Sequence, residues 1–155
     1  MRDLVCGIDP GKRGGVAFVS LTGEGEVFDM PEHILGLVEL LETRASRICR
    51  VFVEKQHPFP KQGAVSTGRL MRHYGEILGA VAALKLPLEE VPPVRWQKRM
   101  LGNGRKTRNQ SKALSLQKAA RLFPYLEIGK KHGRSDALLI AEYGRLLLAT
   151  GEVPR

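Results

Sequence analysis

Two short apolar runs in this chain each end in a carboxylate, Leu4-Val5-Cys6-Gly7-Ile8-Asp9 and Val51-Phe52-Val53-Glu54. Runs of this kind read as core strands, and an acid at the end of a core strand is costly unless something offsets its charge. A divalent cation is the usual remedy. A third acid, Asp136, opens the apolar stretch Ala137-Leu138-Leu139-Ile140-Ala141 after Gly133-Arg134-Ser135. The three acids together point to metal-dependent phosphate chemistry.

The elements around these runs follow from periodicity. A first strand, a glycine-rich turn over Pro10 to Gly15, a strand over Val16 to Leu21, a Thr-Gly-Glu-Gly turn and a strand over Glu26 to Met30 make an antiparallel meander. Beyond Pro31, Ile34, Leu37, Val38 and Leu41 recur at helical spacing, with a stop near Arg44 and a strand from Ile48 to Glu54. A helix between strands implies a crossover to a parallel neighbour. Lys55 to Ser66 reads as an irregular loop, Thr67 to Leu84 as a helix, and Leu88 to Val91 as a fifth strand. Short helices are expected over Val94 to Leu101 and Ser111 to Phe123, separated by a basic loop, and a last helix over Asp136 to Ala149. This order predicts an α/β fold with a mixed five-stranded sheet. Gly75 and Gly79, four apart on one helix, read as a close-packing pair inside the core, with a dimer contact as the alternative.

At 155 residues the chain fits one domain, spanning 1–155. Lys and Arg number 25 against 16 Asp and Glu, a formal net charge of +9. The excess is concentrated in residues 95 to 134, where Glu127 is the lone acid among many bases. A solvated face usually mixes both signs, so this stretch reads as a phosphate-binding surface, with nucleic acid as the leading partner. Lys106, Arg108 and Lys112 are the foremost contacts, with Lys55, Lys61, Arg105, Lys130, Lys131 and Arg134 beside them. The cysteines, Cys6 and Cys49, match no metal-ligand spacing and read as buried thiols. The first apolar run is too short for a signal peptide and no stretch approaches a membrane span, so a cytoplasmic location is expected.

Each acid has an ordinary explanation. Asp-Pro-Gly is a common turn, Glu54 can be a strand end meeting solvent, and Asp136 can complement a helix dipole with Ser135 as cap. The combination says more. At about 100° per residue, Asp136 projects with Ile140, Tyr143 and Leu147, the apolar stripe of the last helix. If the strand of Glu54 pairs beside the first strand, Asp9 and Glu54 emerge side by side and all three acids converge. Such a site suits two Mg²⁺ ions about 4 Å apart, one activating water and one stabilising the leaving 3′-oxygen of a phosphodiester.

Four segments carry a family resemblance: Gly7-Ile8-Asp9-Pro10-Gly11, Val53-Glu54, Gly102-Asn103-Gly104-Arg105-Lys106 after a Trp-Gln helix, and Ser135-Asp136-Ala137-Leu138-Leu139-Ile140-Ala141. With these the chain resembles the RuvC-type Holliday junction resolvases over nearly its whole length. The resemblance implies an RNase H-like fold with strand order 3-2-1-4-5 and strand 2 antiparallel. It also implies a homodimer that makes paired nicks in four-way junction DNA, using Mg²⁺ with Mn²⁺ as a substitute. Asp9, Glu54 and Asp136 map onto the family's metal-binding acids. The family's fourth ligand, an acid or histidine, falls on Gly133, which leaves His132 as the substitute or as a loop histidine among bases. The family's junction-wedging aromatic has a counterpart in Phe59, at a longer distance from the glutamate and within His57-Pro58-Phe59-Pro60.

Rival activities fit less well. An actin-type ATPase needs two such domains, and a Walker loop has neither the spacing of Gly7 to Lys12 nor Arg13 in place of Ser or Thr. A looser nuclease acting on other branched or single-stranded DNA and a non-catalytic DNA-binding protein remain the alternatives. A branch-migration motor as a further partner is not readable from the sequence.

Overall fold

Alternation along the central strands sets the architecture. In β1 (Leu4–Asp9), Leu4, Cys6 and Ile8 join one apolar cluster while Val5 joins another on the opposite face of the sheet. In β4 (Ile48–Glu54), Val51 and Val53 belong to the first cluster and Phe52 to the second. Strands apolar on both faces need a layer of helices on each side, and the rest of the chain provides them. The structure, a computed structural model, describes residues 1–130 and 132–153. Lys131 and the side chain of His132 lie outside the described residues.

The remaining strands are β2 (Gly15–Ser20), β3 (Gly25–Asp29) and β5 (Leu88–Val91), and the sheet order is β3-β2-β1-β4-β5. β1 runs antiparallel to β2 and parallel to β4, which is parallel to β5. The expected topology holds in full. α1 (Ile34–Glu42) and α2 (Ala64–Ala83) make the two crossovers and cover one face through Leu37, Leu41, Tyr74, Ile77 and Val81. α3 (Pro93–Leu101), α4 (Arg108–Leu122) and α5 (His132–Thr150) cover the other through Trp96, Ala119 and Leu138. Burying a side chain such as Phe52 or Leu138 contributes about 1.5–3 kcal/mol.

α5 lies directly on β1. A Cβ added at Gly7 would stand under 3.0 Å from the backbone of Ala137 and Ala141, so only glycine lets the helix approach this closely. The same holds at the helix start, where a Cβ on Gly133 would meet the backbone of Arg13 and Gly14.

Three helices begin earlier than their apolar patterns suggest. α4 starts at Arg108 because Thr107 and Gln110 form a reciprocal capping box, Thr107 Oγ1 accepting from the Gln110 N–H and Gln110 Oε1 from the Thr107 N–H at 2.8 Å. α5 starts at His132, so Asp136 lies a full turn inside it and Ser135 is a buried helical residue rather than its cap. This removes the helix-dipole explanation of Asp136. α2 starts at Ala64, shortening the preceding loop. Gly75 and Gly79 correct a further expectation: both are exposed on α2 with nothing within 4 Å of an added Cβ, so they do not pack in the core. Among the described residues, no helix is long and apolar enough to cross a membrane.

Candidate active site

Register brings the first two acids together. Ile8 pairs with Val53, so the next residues, Asp9 and Glu54, leave the sheet at neighbouring positions. Both follow the alternation onto the face that α3 and α5 cover. The close approach of α5 at Gly7 sets Asp136 above them, and all three acids line one cavity of about 580 Å³.

Electrostatics report the crowding. Burial pushes the Asp9 carboxyl well above the usual carboxylate range, and the charges of Glu54 and Asp136 push it further. Glu54 is raised to about 6, chiefly by burial and also by Asp136, against the opposing hydrogen bonds from Trp96 and Gln56. Asp136 is likewise raised to about 6 by burial, opposed by Ser115 and the nearby charge of Lys112. Negative charge is thus gathered at a cost in the bare protein.

Hydrogen bonds hold two of the carboxylates, Glu54 and Asp136. Trp96 Nε1 donates to Glu54 Oε2 at 2.7 Å and Gln56 Nε2 to Glu54 Oε1 at 3.2 Å. Ser115, a buried hydroxyl, donates to Asp136 Oδ1 and lies 3.1 Å from the Ser135 hydroxyl. Among the described residues, no three His, Cys, Asp or Glu side chains already stand as a metal-holding group. The donor chemistry nevertheless fits a hard divalent cation: three carboxylates on one cavity wall, each with oxygen lone pairs beyond those its donors occupy.

Cations form the rim. Arg13, Lys106, Arg108 and Lys112 line the same cavity as the acids, with Gln97 and Ser111. The Lys106 ammonium also turns back onto the carbonyls of Gly102, Asn103 and Gly104, the first at 2.6 Å, beyond the C-terminus of α3. Arg105 lines an adjoining cavity that shares Gln97, Lys106 and Ser111 with this one. Lys55, Lys61 and Lys130 are exposed outside it. Arg134 makes a bidentate ion pair with Asp29, at 2.8 and 3.3 Å, and donates to the Glu127 carbonyl.

Phe59 stands at the mouth of the cavity with 67% of its surface exposed. It sits on a turn in which the Gln62 N–H donates to the Phe59 carbonyl at 3.1 Å and Gln62 Oε1 accepts from the Phe59 N–H at 3.2 Å. Lys61 holds a left-handed conformation, φ 69°, at the tip.

Sequence reasoning missed Trp96, Gln56 and Ser115 as partners of the acids, and Arg13 and Gln97 as lining residues. Only Trp96 carried a readable signal, since the sole tryptophan of a chain, once buried, needs an acceptor for its N–H. Ser115 belongs to a polar helix whose buried face is not visible in its periodicity.

Known structures share this fold. Thermus thermophilus RuvC in complex with a Holliday junction substrate matches with a TM-score of 0.69 at 20% identity, over 97% of both chains. A further T. thermophilus RuvC structure matches with a TM-score of 0.60 at 22% identity, over 96% of both chains. The Fowlpox virus resolvase, in complex with substrate Holliday junction DNA, matches with a TM-score of 0.53 at 14% identity, over 97% of this chain and 99% of that one. No family model matches the sequence, and no curated protein does. At these identities the likeness establishes the RuvC or RNase H-like fold.

Proposed function

We propose that this chain is a metal-dependent endonuclease that resolves Holliday junctions, working as a one-domain protein in a homodimer that makes paired nicks in branched DNA. One observation carries the reading: three carboxylates from β1, β4 and α5 share a cavity whose rim is cationic. That two DNA-bound structures of this fold, the Thermus thermophilus and Fowlpox virus complexes, hold Holliday junctions supports the choice of substrate.

Asp9, Glu54 and Asp136 would hold Mg²⁺, two ions per site, with Mn²⁺ as a substitute. Bound there, the ions would supply a Lewis acid for an attacking water and for the leaving 3′-oxygen. The chain's own residues do the rest. Arg13, Arg108 and Lys112 attract and orient the phosphate, while Lys106 shapes the loop beside it. Phe59 offers a face for an unpaired base, a contact worth about 1–3 kcal/mol. The position of Gly133 admits no side chain, which leaves His132 as the remaining candidate for a fourth ligand. The exposed face of α2, with Gly68, Gly75 and Gly79 beside Val65 and Met71, supports a contact between two copies.

The test is cleavage of a synthetic four-way junction and of a matched linear duplex, with and without Mg²⁺. Wild type should nick the junction only with metal. Asp9→Asn should bind it without cutting, because charge elsewhere supplies the affinity. Junction DNA left intact by wild type under every condition would leave only a DNA-binding protein.

A further inference from the structure

Trp96 lies in the fourth position of α3 and is only 1% exposed. A buried indole N–H must find an acceptor, and this one has chosen Glu54 Oε2 at 2.7 Å. Satisfying the indole is a poor reason for such a partner. A backbone carbonyl or a neutral amide accepts equally well, and neither brings a carboxylate into a recessed position already crowded by Asp9 and Asp136. The benefit runs the other way. A glutamate has three rotatable side-chain bonds, and two donors on separate elements fix where its oxygens point. Trp96 acts from α3 and Gln56 from the loop after β4, each taking one lone pair on one oxygen. A lone-pair direction on each oxygen remains.

The loop donor is itself anchored. The backbone N–H of Gln56 reaches the Tyr74 hydroxyl, which donates to Glu90 on β5. Trp96 is fixed by the apolar cluster under α3, among Phe52, Met100 and Leu139. Of the two contacts the tryptophan's is shorter and comes from the more deeply buried group.

We infer that Trp96 is a positioning residue, whose indole N–H holds the Glu54 carboxylate ready to receive a divalent cation. The inference rests on the metal site proposed above. It assigns Trp96 no contact with DNA or with the reacting phosphate.

Trp96 is the only tryptophan in the chain, so growth of a tryptophan auxotroph on benzothienylalanine replaces one atom pair at one place, N–H by sulfur, with the ring shape kept. Mn²⁺ binding to the full-length protein without DNA, followed at pH 8 by the electron-spin resonance of the free ion, gives a readout independent of cleavage. The dissociation constant should rise about 10-fold in the sulfur analogue, the usual minimum when the group orienting a metal ligand is lost. The melting temperature of the metal-free protein should change little. Trp96→Phe should show the same loss of affinity. In a Glu54→Gln background the sulfur analogue and Trp96→Phe should each have no further effect on Mn²⁺ binding, because the partner they act through is gone. Equal Mn²⁺ affinity in wild type and both replacements overturns the role of Trp96 while leaving the nuclease reading intact. A loss that persists undiminished in Glu54→Gln also overturns it, as a merely structural effect. Absence of Mn²⁺ binding in wild type overturns the inference and the metal site together.

Discussion

Glycines occupy two contrasting regions of this molecule. Where α5 crosses β1, Gly7 and Gly133 are sealed by the chain's own backbone, and a single methyl group at either would collide. On the outer face of α2, Gly75 and Gly79 meet nothing at all. One pair is spent inside the fold and the other is left open. The first allows three acids to converge, and the second leaves a narrow-sided helix facing solvent, as a contact between two copies requires. A glycine stripe in a sequence therefore says that two backbones can meet, without saying whether both belong to the same chain.

The sealed region should break first. Gly7→Ala places a methyl group against the Ala137 carbonyl and should cost about 3 kcal/mol or more, read as a fall in thermal stability by circular dichroism. A melting curve unchanged from wild type would mean that α5 does not lie as close to β1 as described.

The acids gathered by that closeness give the next effect. Folding raises Glu54 and Asp136 to about 6 from ordinary values of 4.5 and 3.8, so the folded protein binds these protons more tightly than the unfolded chain. Their contribution to stability is fullest below about pH 4 and is lost as pH climbs through 6. Each accounts for on the order of 2 kcal/mol. Metal-free protein should therefore carry a penalty at pH 8 that Mg²⁺ relieves, while Mg²⁺ adds little at pH 5. Calorimetry at both pH values with and without the ion checks this, and Asp9→Asn should raise the metal-free melting temperature at pH 8 by removing one of the repelling charges.

In the open region the sign reverses. Gly75→Ala and Gly79→Ala should each strengthen α2 by about 1 kcal/mol in a monomer, where the added methyl meets no neighbour. If the face joins two copies, the same changes should weaken association, and light scattering across a dilution series separates the outcomes. The smallest effect is expected outside both regions, at the tip of the Phe59 turn. Lys61→Gly relieves a left-handed backbone and should add about 0.5–1 kcal/mol.

The sheet was legible because its strands are apolar runs with abrupt ends: Leu4–Asp9, Ile48–Glu54 and Leu88–Val91 carry the expected boundaries. Convergence of Asp9 with Glu54 was legible as well, since a parallel neighbour leaves little choice of register. Helix starts were harder to read. Periodicity marks where a helix becomes apolar, whereas α4 begins after the Thr107 cap and α5 at His132, one residue before a glycine pressed on the Gly14 turn, both ahead of any stripe. The partners of the acids were least visible. Trp96 and Ser115 reach Glu54 and Asp136 from 42 and 21 residues away in sequence, and only the packing of α3 and α4 on the sheet brings them there.

The turn that bears Phe59 has one more consequence. Because Gln62 ties both polar groups of the Phe59 backbone, the ring is presented on a prefolded support. A base leaving its stack would then surrender its own freedom without also having to organise the loop, which lowers the entropic toll of capture. On the proposed function, the aromatic would act as a fixed post at the entrance, and a junction whose centre breathes open would meet it already upright.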